Sequence, residues 1–305
     1  MKLNKLHIFL GALALLLIFL YLPVPRMDLS AVKKSPEKNF PAPKIEAKSA
    51  LAEDLLTGEV LFSKNSGEVL PLASVTKIIT LLTVLDYASP DEEVTVSRQA
   101  VLTPEPSSLR IGEHFLARDL VAMAMAESSN DATAALYEYI VEKNQIVQEK
   151  PASAEATAGK QKEWFLDLMQ KKAERLGAAN MKFYNIWGLD ESLELSGGYG
   201  SADDLLKIAK ASLGSPLWQS GAVSEVISQE GIKHKLKFTN ELGPELTPLL
   251  GSKTGYTDLA GGNLLVIVEY PLGHPLGIVV LGSSEKGRFE DVKTILIWIK
   301  ATKPL

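Results

Sequence analysis

The chain contains no cysteine. That excludes a thiol nucleophile, a disulfide framework and cysteine-ligated zinc, so an exported form would be held by its core alone. Histidine is scarce: His7, His114, His234 and His274 are the full set, and none falls in a His-x-x-x-His or His-Glu-x-x-His pattern. No metal centre and no cofactor is therefore expected. No Gly-x-Ser-x-Gly elbow occurs, which removes the α/β-hydrolase design. No Gly-x-Gly-x-x-Gly or phosphate-loop pattern occurs either. Basic charge is not in excess: the formal net charge is −5, and nothing points to nucleic acid as a partner. No internal repeat is visible.

What is present is a chain of 305 residues, 46% hydrophobic, enough for roughly one to two domains with a sizeable core. Residues 1–22 open with Lys2 and Lys5 and continue as an apolar run over 6–22. This reads as a signal anchor or an export signal. No Ala-x-Ala-like site follows, which favours the uncleaved anchor and an extracytoplasmic domain. Residues 23–48 are rich in proline, lysine and charge and read as an extended linker. The folded domain is expected over 49–305, with 144–162 a low-complexity, mobile surface insertion.

Within that domain, 50–54 and 59–63 flank Thr57-Gly58 and predict a hairpin. Residues 74–87 predict a helix that is apolar nearly all round and hence buried. Further helices are expected over 118–126, 131–141, 164–176 and 202–211, the last capped by Ser201. Residues 264–269 and 277–281 are apolar and β-branched and predict a strand pair, followed by a closing helix over 288–300. Strands first and last with helices between give an α+β fold: one antiparallel sheet built from both chain ends, flanked by helices.

Three short motifs fall in order: Ser74-Val75-Thr76-Lys77, Ser128-Ser129-Asn130 and Lys253-Thr254-Gly255. Each alone has a plain structural reading. Ser74 could cap a helix and Lys77 snorkel; Ser128 to Asn130 could be a capping turn; Lys253 to Gly255 could be a surface turn. Ser-x-x-Lys also occurs at Ser30/Lys33, Ser35/Lys38 and Ser283/Lys286. Context separates Ser74/Lys77 from these. At i and i+3 on a helix both side chains share a face. The helix N-terminus favours developing negative charge near Ser74. An apolar surround would lower the pKa of Lys77 and make it a base. Ser128 can then relay a proton and Asn130 donate an amide. Lys253 and Thr254 can hold a carboxylate, and Gly255 leaves room where substrate backbone would approach. Together the motifs form a kit for serine acyl transfer without histidine.

With these motifs in place the chain resembles the serine D-alanyl-D-alanine carboxypeptidases, members of the penicillin-binding proteins. The likeness runs from about residue 48 to 302. It extends to Ala52-Glu53-Asp54-Leu55-Leu56-Thr57-Gly58-Glu59-Val60-Leu61, Leu70-Pro71-Leu72-Ala73-Ser74-Val75-Thr76-Lys77, Ser129-Asn130-Asp131-Ala132, residues 173–190 ending Trp187-Gly188-Leu189-Asp190, and Gly251-Ser252-Lys253-Thr254-Gly255-Tyr256-Thr257. The resemblance implies a β-lactamase/transpeptidase-like fold with a helical subdomain. It implies peptidoglycan stem peptides as substrate and β-lactam antibiotics as inhibitors. Ser74 would be the nucleophile, Lys77 its base and Ser128 the proton relay. Asn130, Lys253, Thr254 and Gly255 would bind substrate, and the backbone N–H groups of Ser74 and Tyr256 would form the oxyanion hole. Many relatives carry a further β-rich domain; the chain ends at Leu305 without one, as endopeptidase-like members do. Asn185-Ile186-Trp187-Gly188 stands where the family usually carries proline. The alternatives are a DD-endopeptidase of the same family, a class A β-lactamase, for whose deacylating glutamate the only candidate, Glu163, reads as a solvated charge at a helix start, and an inactive wall-binding module.

Overall fold

The computed structural model describes residues 41–144, 154–246 and 248–303. The expected anchor and most of the linker lie outside the described residues. Five strands form an antiparallel sheet: β1 (Ser49–Asp54), β2 (Val60–Lys64), β10 (Leu249–Thr257), β11 (Gly261–Glu269) and β12 (Pro275–Ser283), in the order β10-β11-β12-β1-β2. The two ends of the chain meet where Ser49 pairs with Leu281 and Asp54 with Leu276. The sheet expected from strands first and last is thus the one observed.

Both faces of this sheet are covered, which is why 264–269 is apolar without alternation. Leu51, Leu265, Ile267, Val279 and Leu281 point into one core. Ala50, Leu264, Val266, Ile278 and Val280, their neighbours on the opposite face, point into a second. The second core is closed by the C-terminal helix α8 (Gly287–Thr302), which buries Phe289, Val292, Ile295 and Ile299. Each such side chain contributes about 1.5–3 kcal/mol before chain entropy.

The first core is helical. It holds α1 (Lys77–Tyr87), α3 (Ala117–Ala126), α4 (Asn130–Lys143), α5 (Ala154–Arg175) and α6 (Ala202–Ala211). Helix α1 is rich in Ile, Thr and Val, which are indifferent helix formers. Burial overrides propensity: Ile78, Ile79, Leu81 and Val84 are sealed from solvent. Its two threonines satisfy themselves on carbonyls, Thr83 on Ile79 at 2.8 Å and Thr80 on Ile186 at 2.6 Å. The helix ends at Ala88, which turns extended just before Ser89-Pro90. Ser201 caps α6 in a full capping box with Asp204, as its sequence suggested.

Two expectations are corrected here. Ser74 does not sit in the α-helix; it lies in a 3₁₀ turn, Ala73–Thr76, and the α-helix starts at Lys77. The helix expected from 164 begins at Ala154, so the second half of the expected insertion is helical. Residues 145–153 lie outside the described residues. The remaining elements are short. They are β3 (Leu70–Pro71), β4 (Glu93–Thr95), α2 (Arg98–Val101), β5 (His114–Leu116), β6 (Lys182–Phe183), β7 (Gly198–Gly200), α7 (Pro216–Ser220), β8 (Glu225–Ile227) and β9 (Lys233–Lys235). Among the described residues no helix is long and apolar enough to cross a membrane.

Candidate active site

Across 72–84 every residue is buried except Ser74. The turn therefore presents one hydroxyl to solvent from an otherwise sealed segment. The turn is strained: Ala73, just before the serine, has φ +49. L-residues avoid that region at a cost of roughly 1–2 kcal/mol, so the surroundings must hold it. They do so by close approach. A Cβ on Gly188 would lie 1.9 Å from the Ala73 carbonyl oxygen, and one on Gly255 would lie 2.8 Å from Leu72 O and 3.0 Å from Ser74 N. Gly255 was expected to make room for substrate backbone. What it accommodates is the chain's own nucleophile turn, which packs onto β10.

Lys77 extends from the first residue of α1 with its side chain fully buried. Its Nζ lies 2.8 Å from Ser74 Oγ, 3.3 Å from the Trp187 carbonyl and 3.5 Å from Ser128 Oγ. Burial lowers its pKa from 10.5 to about 7, against an opposing pull from the Glu105 carboxylate. The amine is therefore neutral in a large fraction of molecules near pH 7.

Ser128 stands between α3 and α4 with φ +64. Its Oγ accepts from Lys253 Nζ at 2.9 Å as well as facing Lys77. Ser129 caps α4 by accepting from Ala132 N at 3.0 Å, and its hydroxyl donates to Asp131. The buried Asp131 carboxylate in turn accepts from Ser107 N and Leu109 N at 3.0 and 3.3 Å, tying the 104–109 loop to the serine turn. Asn130, expected to bind substrate, is the first residue of α4. Its Nδ2 donates to the carbonyls of Pro104 and Glu105 at 2.9 and 3.4 Å, while its Oδ1 is buried with no partner among the described residues.

Lys253 is buried on β10, and Nζ also donates to the Thr254 carbonyl at 2.9 Å. Its pKa is pushed well below its usual value by burial first, then by the charges of Lys77 and Arg288. Thr254 Oγ1 shares a 2.6 Å hydrogen bond with Thr239 Oγ1. Arg288, the second residue of α8, donates to the Gly255 carbonyl at 2.8 Å. Tyr256 is exposed on the far side of this glycine. A groove of about 620 Å³ begins there, lined among others by Glu105, Trp187, Asp190, Tyr256 and Asp258. Asp190 pins the end of β10 by accepting from Thr257 Oγ1 and Leu259 N at 3.0 and 3.3 Å.

The structure thus brings Ser74, Lys77, Ser128 and Lys253 into one hydrogen-bonded cluster, with Thr254, Gly255 and Tyr256 along its edge. Sequence reasoning missed the Trp187 carbonyl, Thr239 and Arg288. Thr239 and Arg288 belong to no motif, so nothing local marked them; Trp187 lay inside a stretch quoted for the resemblance but was given no role. Asp131 lay inside a quoted stretch but was given no role. The remaining histidines pair with carboxylates away from this cluster: His114 with Glu230, His234 with Glu113 and His274 with Asp54. Among the described residues no group of His, Cys, Asp and Glu is arranged to hold a metal ion.

A sheet sewn from both chain ends, with a half-buried serine and two buried lysines at its edge strand, defines a serine acyl-transfer enzyme of the penicillin-binding type. A family model described as D-alanyl-D-alanine carboxypeptidase matches residues 35–148 and 151–285. The chain belongs to that family and is a serine-type peptidase. It is 29% identical over 300 residues to the D-alanyl-D-alanine endopeptidase of Pseudomonas aeruginosa, covering 94% of this chain and 88% of that one. It is 30% identical over 270 residues to the D-alanyl-D-alanine carboxypeptidase DacD of Escherichia coli, covering 84% of this chain but 63% of the relative's length. The fold is similar to the crystal structure of the D-alanyl-D-alanine carboxypeptidase of Mycobacterium tuberculosis, with a TM-score of 0.72, 23% identity and coverage of 88% and 97% of the two chains. It is also similar to penicillin-binding protein D2 of Listeria monocytogenes in its cefotaxime-bound form, with a TM-score of 0.68, 24% identity and coverage of 85% and 99%.

Proposed function

We infer that this chain is a serine DD-peptidase that cuts peptidoglycan stem peptides through an acyl-enzyme and is trapped by penicillins. The observation that carries this is the buried Lys77 amine 2.8 Å from Ser74 Oγ, with a pKa lowered to about 7. A neutral amine at that distance can take the serine proton as Oγ attacks the carbonyl of the penultimate D-alanine. Ser128, within reach of both lysines, passes a proton to the departing amine. Lys253 and Thr254 hold the departing residue's carboxylate. The N–H groups of Ser74 and Tyr256 receive the oxyanion, each worth about 3 kcal/mol in comparable sites. Asn130 holds the 104–105 loop through Nδ2 and orients the peptide through its unpaired Oδ1. Water then hydrolyses the ester on Ser74.

The apolar run over 6–22 tethers the enzyme to the bacterial cell membrane, with 23–48 as the linker to the catalytic domain. The β-lactamase alternative loses its candidate carboxylate, because Glu163 is exposed on the surface of α5. The test is intact mass after incubation with benzylpenicillin, together with product analysis on a peptide ending in D-Ala-D-Ala. A long-lived adduct and release of D-alanine are expected, both lost in Ser74→Ala. Rapid turnover of penicillin would favour the β-lactamase, and neither adduct nor product would leave only a wall-binding module.

A further inference from the structure

Outside the catalytic cluster, three side chains from separate segments form a second hydrogen-bonded chain. Ser108 Oγ lies 3.2 Å from His234 Nδ1, and His234 Nε2 lies 3.1 Å from Glu113 Oε1. His234 and Glu113 are buried, whereas Ser108 is exposed. The strand sets this burial. Side chains alternate along β9, so His234 turns inward between the exposed Lys233 and Lys235. The buried ring of Phe115 packs against its imidazole, with centroids 5.4 Å apart.

The hydrogen-bond roles follow from the acid. A carboxylate only accepts, and Glu113 Oε2 already takes the Arg110 N–H at 2.8 Å. The hydrogen in the Oε1 contact therefore belongs to His234 Nε2. Nδ1 of the neutral ring is then the lone-pair nitrogen, and it faces the Ser108 hydroxyl. This is the order of nucleophile, base and orienting acid in which a histidine activates a serine. A histidine buried for packing alone needs two satisfied nitrogens and no more. Here one of the two partners is a hydroxyl open to solvent. That hydroxyl is also held in place. Asn130 Nδ2 binds the carbonyls of Pro104 and Glu105, and the Asp131 carboxylate takes the N–H groups of Ser107 and Leu109. The amide between these two, Ser108 N, donates to no acceptor among the described residues. It is free to receive an oxyanion forming on a carbonyl that Oγ attacks, the part a nucleophile's own amide plays in serine hydrolases.

We propose that Ser108, His234 and Glu113 form a second nucleophilic centre, which splits short acyl esters through an acyl-serine on Ser108. Oγ bonds to the ester carbonyl carbon as its proton passes to His234 Nδ1. The C–O bond to the alcohol breaks, and the alcohol departs with that proton. Water then gives a proton to the same nitrogen and attacks the acyl-serine. The acid is released, and the proton returns to Oγ. Glu113 keeps the ring in the required tautomer throughout. The surroundings set the substrate class. Residues 104–108 are all exposed and give little apolar cover, which suits an acetyl or similarly short acyl group and not a long chain. This centre shares no residue with the Ser74 cluster, so it stands or falls apart from the peptidase reading.

The test uses the full chain in detergent carrying Ser74→Ala, which silences the first serine. The probes are 4-nitrophenyl acetate and an alkyl fluorophosphonate, which loses fluoride as a serine oxygen bonds to phosphorus. Turnover of the ester is expected, together with one phosphonyl group per chain that peptide mapping places on Ser108. Adding Ser108→Ala should abolish both. Adding His234→Gln should slow both by about 10²-fold or more, the usual worth of a positioned base. Thermal unfolding of each variant reports folding. If His234→Gln fails to fold, the map decides: labelling of Ser108 about 10²-fold faster than of its exposed neighbour Ser107 supports the proposal. Equal labelling of these two serines, an unlabelled Ser108, or rates unchanged in a folded His234→Gln chain overturns it.

Discussion

Lys77 and Lys253 approach the same oxygen, Ser128 Oγ, at 3.5 and 2.9 Å, and both side chains are buried. Two amines so close in a dry site do not both hold a full charge, since burial and mutual repulsion act in the same direction. The proton missing from the pair is what makes a base available beside Ser74. When Lys77 is the neutral partner, Lys253 is relieved of the second of the effects that lower its pKa, burial remaining the first.

The first prediction concerns pH. A general base works in its neutral form, so acylation of Ser74 rises as pH rises through about 7, the pKa to which burial lowers Lys77. Well below that value the rate falls about tenfold per pH unit. Stopped-time acylation by a fluorescent penicillin between pH 5 and 9 measures this, and a rate unchanged down to pH 5 would remove Lys77 from the role.

Lys77→Met separates function from stability. Acylation is expected to fall by about 10²–10⁴, the usual worth of a positioned base. Stability at pH 7 is expected to rise by about 1–3 kcal/mol, because a costly buried amine becomes a packed thioether. The sign follows from linkage. The unfolded chain binds a proton here up to pH 10.5 and the folded chain only up to about 7, so between these values stability increases with pH. Denaturant unfolding at pH 7 and 9 should show that slope in the parent and a reduced one in the variant.

Ser128→Ala removes the hydroxyl that both lysines face. Acylation is expected to drop by about 10²-fold or more, as for loss of a proton relay. Thermal stability should fall by about 1–2 kcal/mol, because two buried N–H groups lose a partner. A variant as stable and as reactive as the parent would show that the cluster does not depend on this oxygen.

Gly188→Ala and Gly255→Ala probe the nucleophile turn from its two sides. The first meets backbone at 1.9 Å with φ +84 and is expected to cost about 3 kcal/mol or more. The second meets Leu72 O at 2.8 Å, Ser74 N at 3.0 Å and Ala73 Cβ at 3.1 Å. It should cost about 1–3 kcal/mol and slow acylation about tenfold or more by shifting the serine. Calorimetry and the penicillin assay together give both readings.

Much of this was legible in the residues. Apolar runs bounded by turn residues located β1, β11, β12 and α1, because burial on one or two faces writes itself into local pattern. The Ser201 cap was equally local. The limits of α5 were not, since a polar, alanine-rich stretch carries no packing signal that separates helix from loop.

The order and chemistry of the three motifs picked out the side chains proposed to carry the reaction: a hydroxyl, an amine three residues on, and distant partners of suitable type. Tertiary structure alone decided how they act. Only packing removes water from Lys77, turns the Asn130 amide onto the 104–105 loop and places Gly255 under the serine turn. It also brings the Trp187 carbonyl, Thr239 and Arg288 to the site from remote parts of the chain. Desolvation and close approach arise between segments far apart in sequence, and no local pattern records them.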